Sequence, residues 1–438
     1  MKRLVCVLLL LLALVWVFAA CDKNDEGDIP LEDAHVHEYG SWSVTHAADC
    51  TEKGTEKRTC ACGESETREI AAWGHTWGAW STVTAASCAT NGVQKRVCIC
   101  GASETSPIPA TKAHSFENGE CSVCRTPQLF VRDENTVYFG SYPQSEVTQS
   151  TLISALNEKA GTLPTSTNAR LWTSYGYYLD GEIQNYMWYI DLTHQGERYR
   201  GVYFVENRPR YTMESTLSNQ SQQDDNGYVV GTVYWFLYEP IAWTVLKEEN
   251  GTALLFCNNA LDAQEYYSNY SSRTAGGENV LPNNYAHSTV RAWLNDNFYE
   301  AAFTSLEQQI ILTATVKNDA QSTGEQTNLY ICENTQDKVF LLSVEEITNM
   351  AYGFLEQIAE SDPLRQKAPT AYALAQGASA SMGGDYAGNS YWWLRSPGEG
   401  DDMSAKNVSV AGTLLAYDSL VDTATRSIVP ALQIQLSY

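Results

Sequence analysis

The chain has 438 residues, more than one ordinary domain needs, and carries 52 acidic side chains against 28 basic ones, a formal charge of −24 at neutral pH. Such a surface repels polyanions, which excludes nucleic acid and anionic lipid headgroups as natural partners. Charged residues are only 18% of the chain while Tyr (26) and Trp (12) are plentiful, the composition of an exported globular protein with a surface suited to recognition.

In chain order, residues 1–20 come first as a leader. Lys2 and Arg3 precede an apolar run from Leu4 to Ala20 that ends "VFAAC". A basic start, a leucine-rich middle and small residues before a cut predict an export signal. Cys21, after Ala19 and Ala20, resembles the modified cysteine of a bacterial lipobox, with Phe18 where Leu is usual. The run is short for a membrane span of about 20 residues. A lipid anchor on Cys21, at the outer face of the membrane of a bacterial cell envelope, is the expectation, because two acyl chains suffice for stable attachment. Residues 21–34, acidic with Gly and Pro, read as a tether.

Residues 35–125 hold two and a half repeats. "HEYGSWSVTHAADCTEKGTEKRTCACGESETREI" (37–70) aligns with "HTWGAWSTVTAASCATNGVQKRVCICGASETSPI" (75–108) at a period of 38, and "HSFENGECSVC" (114–124) opens a third unit. Eight of the twelve cysteines lie here, so cross-links must do what a core cannot do in so small a unit. One reading is zinc, with Cys50, Cys60, Cys62 and His75 as one tetrahedral set and Cys88, Cys98, Cys100 and His114 as another. The other is disulfides, also drawing on Cys121 and Cys124, and the export signal favours these. Gly54 and Gly92 read as hairpin turns, and Arg58 and Arg96 are placed to lie over Trp42 and Trp80. These units are expected to act as a stalk.

From residue 126 to 438 the pattern is that of one α+β domain. "NTVYFGSYPQ" is a strand, and "STLISALNEKAG" a helix stopped by Gly161. Residues 232–258 read as two strands around Asn250-Gly251, a strong hairpin signal. Residues 287–303 read as a helix capped by Ser288, with Val290, Trp293, Leu294 and Phe298 on one face. Thr304 with Glu307, and Ser343 with Glu346, form capping boxes opening two more. "SYWWLRS" predicts a core strand, and the final "RSIVPALQIQLSY" an alternating strand that, from Pro430, begins at or lies on a sheet edge.

The segments "VYFGSYPQ", "MWYIDLTHQGERYRGVYF", "QDDNGY", "VYWFLYEPIAWTVL", "STVRAWLNDNFYEAAF", "ENTQDKVFLLS", "YWWLRSPG" and "VPALQI", in that order, resemble an uncharacterised domain family of bacterial surface proteins, over roughly residues 130–438. Val429 stands where many members have Arg. The N-terminal units resemble Cys/His/Trp repeats of bacterial surface lipoproteins. The order of elements also resembles the C-type-lectin-like fold, shared by lectins and formylglycine-generating oxidases. That resemblance implies a core Trp strand followed by a ligand-presenting loop, "PGEGDDMSAKN".

On this reading the ligand-facing candidates are Trp392, Trp393, Arg395, Glu399, Asp401 and Asp402. The three acids could hold calcium, but they lack the alternating donors of a calcium loop and fit a solvated loop better. Cys257 and Cys332 are the only thiols of this region. They read as a structural disulfide or buried thiols rather than the copper pair of an oxidase. Neither His194 nor His287 sits in a catalytic pattern. The expectation is a lipid-anchored surface protein whose head binds a glycan or a protein. An oxidase-type enzyme and a structural envelope protein are the alternatives.

Overall fold

The computed structural model describes residues 36–165, 167–179, 182–204, 227–228, 231–275, 277–414 and 418–437; the export signal, Cys21 and the tether lie outside them. The chain divides into two compact units, Met1–Ala86 with Asn91–Pro109, and Ser87–Thr90 with Ala110–Tyr438.

In the first unit each full repeat forms a three-stranded antiparallel sheet. The strands are Ser43–His46, Gly54–Thr59 and Ser65–Ile70, then Ser81–Thr84, Gly92–Val97 and Ser103–Ile108. The 38-residue period extends to register: Ser43 faces Lys57 as Ser81 faces Lys95, and Gly54 faces Ile70 as Gly92 faces Ile108. Gly54 and Gly92 open strands instead of forming turns. A Cβ on either would stand 2.4 Å from a backbone nitrogen, that of Ala48 or Ala86, so only glycine permits the approach. The turns use Gly63 and Gly101, at φ 98° and 88°. Arg58 lies 4.8 Å from the Trp42 ring and Arg96 4.8 Å from that of Trp80. These stacks stand in for a core, since most strand residues are exposed.

The second unit is built on a ten-stranded sheet. Its main path runs Thr173–Leu179, Glu182–His194, Glu197–Phe204, Val233–Glu249, Thr252–Cys257, Ala431–Gln435 and Ile311–Leu312. Thr136–Glu146 pairs with Val233–Glu249 and with Phe130–Asp133, and Val339–Phe340 pairs with the C-terminal strand. Asn250 (φ 52°) and Gly251 (φ 77°) make the expected two-residue hairpin, both in the left-handed region that a type I′ turn requires. Pro430 directly precedes Ala431–Gln435, which is an interior strand: Thr252–Cys257 lies on one side, Ile311–Leu312 and Val339–Phe340 on the other. Pro430 has no N–H to leave unpaired, and its carbonyl accepts from the Cys257 N–H at 3.0 Å, so the terminal strand is not the edge strand expected from sequence.

A second sheet orders Asp262–Ala263, Ser427–Ile428, Trp392–Pro397, Ser404–Val408 and Ser419–Leu420. The Trp strand is its middle member, and every residue from Trp392 to Pro397 is buried.

The α+β expectation is overturned. The protein is mostly β, 39% strand against 13% helix. The helix from Ser150 to Ala160 forms and ends at Gly161. Ser288 caps its predicted helix by accepting from the Arg291 N–H, but that helix breaks into Thr289–Trp293, a π turn at Leu294–Phe298 and Tyr299–Ala302. Thr304 and Glu307 hydrogen-bond reciprocally yet open only the 3-10 turn Glu307–Gln309. The Ser343–Glu346 box opens the four-residue Val344–Ile347. Caps and apolar spacing are local signals; they start helices whose length the surrounding sheets then cut short.

Candidate metal centres

Three groups of cysteine and histidine are drawn together, and their membership differs from the sets expected from sequence. In chain order, His37, Cys60 and Cys62 form the first; Cys50, His75, Cys98 and Cys100 the second; and Cys88, His114, Cys121 and Cys124 the third, each with ligand atoms within 4.8 Å of one another. Each histidine joins the cysteines at the end of its own repeat. The fourth ligand, where present, is the turn cysteine of the repeat before.

The local fold explains this pairing. Tyr39 bridges Cys60 and Trp77 bridges Cys98, two residues after His37 and His75, so the start of each repeat lies alongside its end. The Gly40 N–H donates to Thr59 and the Gly78 N–H to Val97, the same contact 38 residues on. Tight turns follow, with the Cys60 N–H donating to Glu64 and the Cys98 N–H to Ala102. The histidine rings rest on aromatic neighbours, His75 at 4.8 Å from Trp77 and His114 at 5.7 Å from Phe116.

The distances suit a tetrahedral cation. A zinc site with Zn–S bonds of about 2.3 Å has S···S edges of about 3.8 Å. Cys50 and Cys98 stand 3.7 Å apart, as do Cys88 and Cys121. A disulfide needs about 2.05 Å. His75 Nδ1 is 3.3 Å from Cys100, His114 Nδ1 3.3 Å from Cys124, and His37 Nδ1 3.1 Å from Cys62.

The thiols are already polarised for such a role. The backbone N–H of Cys100 is the main reason that the Cys98 thiol is held down to about 6, and that of Cys124 the main reason that Cys121 is held down to about 5. Cys50 and Cys88 shift the other way. Contact with Cys100 pushes Cys50 up to about 12, and burial pushes Cys88 up to about 11. Cys124 is lowered as well, first through its hydrogen bond with the Thr126 hydroxyl.

In the second unit the candidate ligand-facing residues are spread through the scaffold. Trp392 and Trp393 are fully enclosed, their ring nitrogens donating to the carbonyls of Arg365 and Gln264 at 2.9 Å each. Arg395, also buried, donates to the Lys317 and Leu341 carbonyls and to Glu346. Glu399 is exposed, 3.8 Å from Lys406, and the Asp401 carboxylate accepts from the Met403 N–H at 2.9 Å. The Asp402 carbonyl accepts from Asn283. Among the described residues this acidic trio is not gathered into one ligand group. Cys257 and Cys332 are free thiols, pushed up to about 12 and about 11 by burial. His287 is exposed, 3.4 Å from Glu333.

Residues 250–436 match a family described as a domain of unknown function (DUF6273). The match holds "YWWLRSPG" and "VPALQI" but begins in the Asn250-Gly251 turn, so the partner strand Val233–Glu249 and the strands before it lie outside. No curated protein and no solved structure matches the chain. Among the described residues no helix is long and apolar enough to cross a membrane.

Sequence reasoning missed His37 as a ligand and joined each terminal Cys pair to the following histidine. The third fragment held the missing signal. It has a histidine and two cysteines but no turn cysteine, so it makes a four-ligand set only by taking Cys88 from the repeat before.

Proposed function

We propose that the repeats are a zinc-stapled spacer between a lipid anchor on Cys21 and a β-rich head, and that the head contacts a glycan or protein outside the cell. The observation that carries the reading is the Cys3His group formed twice with matching geometry, each taking its first cysteine from the preceding repeat. Cys3His is a standard closed set for structural zinc. The repeats bury little apolar surface, so metal binding would supply much of their folding free energy. The export signal and Cys21 support the anchor, and the Tyr- and Trp-rich, acidic composition supports a contacting surface.

Native mass spectrometry of the full chain recovered from membranes tests this. The expected result is at least two zinc ions per chain, reduced repeat cysteines and a diacyl mass on Cys21. A metal-free chain with its repeat cysteines oxidised in pairs overturns the spacer reading. For the head, saturable binding on a glycan or protein array is expected, and its absence would leave a structural envelope role.

A further inference from the structure

The two full repeats share a register but do not cover Trp42 and Trp80 alike. In the first, two guanidiniums lie on Trp42, that of Arg58 at 4.8 Å and that of Arg68 at 4.2 Å from the ring centroid. Arg68 is held by Glu56, its cross-strand partner, whose carboxylate accepts from Nε at 2.5 Å. In the second, Arg96 lies 4.8 Å from the Trp80 ring and pairs with Glu104, as Arg58 pairs with Glu66. The other charged pair is gone. At the positions 38 residues after Glu56 and Arg68 stand Gln94 and Ser106, still opposite each other in the ladder.

The exchange leaves a mark on the ring. Trp42 is half-buried, whereas Trp80 is 38% exposed. Alternation puts Gln94 and Arg96 on one face of their strand, with Ser106 and Glu104 opposite them on the same face. The uncovered indole therefore stands over the face that carries the Gln94 amide and the Ser106 hydroxyl.

The chemistry of that exchange selects the ligand. Losing the arginine alone would leave a carboxylate for a cation to pair with. Changing both members removes both charges, and Arg96 and Glu104 on the same face already neutralise each other. An ionic ligand gains no counter-charge here. A sugar ring matches all three groups: its C–H face packs on the electron-rich indole, and its hydroxyls meet side chains that both donate and accept.

We propose that the second repeat binds a neutral sugar ring on Trp80, with Gln94 and Ser106 holding its hydroxyls. This gives the repeats a contact of their own, separate from the metal centres and from any contact that the head makes.

Fluorine NMR of the full chain labelled with 5-fluorotryptophan reads each indole separately, and Trp80→Phe identifies the Trp80 resonance. The probes are soluble neutral tetrasaccharides of glucose, mannose, galactose and N-acetylglucosamine. The expected result is a saturable shift of the Trp80 resonance with at least one of them. Gln94→Glu with Ser106→Arg rebuilds the charged pair of the first repeat and should weaken that response at least about tenfold. Glu56→Gln with Arg68→Ser does the reverse, so that the Trp42 resonance begins to respond as well. Each double variant copies a pair that the other repeat already carries, which protects the fold. A Trp80 resonance that none of the four sugars moves, or that still moves in Gln94→Glu/Ser106→Arg, overturns the site. Shifts confined to other indoles also overturn it, while leaving glycan binding by the head in place. If tetra-arginine moves Trp80 and the sugars do not, the ring takes a cation and the inference falls.

Discussion

The repeats and the head solve the same problem with opposite means. In the first repeat the strand Ser43–His46 is exposed throughout, and what surrounds it is clustered Cys and His, Arg stacked on Trp, and backbone packed against glycine. In the head a continuous core runs from Val137 to Ile434 and encloses Trp243, Trp392 and Trp393 completely. Each tryptophan also satisfies its ring N–H, Trp243 on the Phe139 carbonyl at 2.8 Å. A small unit that cannot bury enough surface depends on a few strong local bonds, and a large one on many weak ones. Their failure modes should therefore differ.

Chelation should separate the two most sharply. A strong zinc chelator is expected to make residues 36–125 susceptible to protease while the head remains a resistant fragment, as limited proteolysis with mass mapping will show. Simultaneous loss of both would mean that the head also depends on metal. Next in size is Trp393→Ala. Removing an indole packed 5.6 Å from Tyr266 should cost the head about 3–5 kcal/mol in denaturant unfolding and leave the metal content unchanged.

Gly54→Ala is the corresponding lesion in the repeats. Its Cβ would meet the Ala48 nitrogen at 2.4 Å, and relieving that overlap should cost about 1–3 kcal/mol. Because Cys50 lies four residues before Gly54, the variant should also weaken cobalt binding at the Cys50, His75, Cys98 and Cys100 group, measured by competition with a chelator.

Asp262 offers a subtler test within the head. Burial pushes its carboxyl up to about 6, although Tyr142 donates to it at 2.7 Å. Unfolded, the group titrates near 4. Between these values the folded chain holds a proton that the unfolded chain has lost, so this group lowers stability as pH rises from about 4 to about 6. Asp262→Asn should remove that slope, and the difference in Tm between wild type and variant should change by a few degrees across the window. The smallest effect is expected from Arg96→Ala, which deletes the stack on Trp77 and Trp80 at a cost of about 0.5–1 kcal/mol, readable as a lower chelator midpoint.

Much of this was open to sequence reasoning wherever a signal is carried by neighbours along the chain. Asn250-Gly251 makes its hairpin, Gly161 stops its helix, and Arg58 and Arg96 find Trp42 and Trp80. The residues that cluster were legible too, as recurring Cys and His, although the export signal favoured disulfides over metal. The grouping of those ligands was not. It depends on which repeat's turn reaches which repeat's end, and only three-dimensional proximity sets that. The acidic loop is similar: as a string, Glu399, Asp401 and Asp402 form a cluster, but in space they turn to Lys406, Met403 and Asn283.

By itself, the sequence determined the repeat period with its recurring Cys and His, and the caps and turns such as Gly161 and Asn250-Gly251, because each is carried by a few neighbouring residues. Tertiary structure alone decided that the protein is mainly β, that the tryptophan strand lies in the middle of a second sheet, and that the proline-led terminal strand is internal. The physical reason is that strand pairing joins segments far apart in the chain. Thr252–Cys257 meets Ala431–Gln435 across more than 170 residues, and no local pattern encodes that partner.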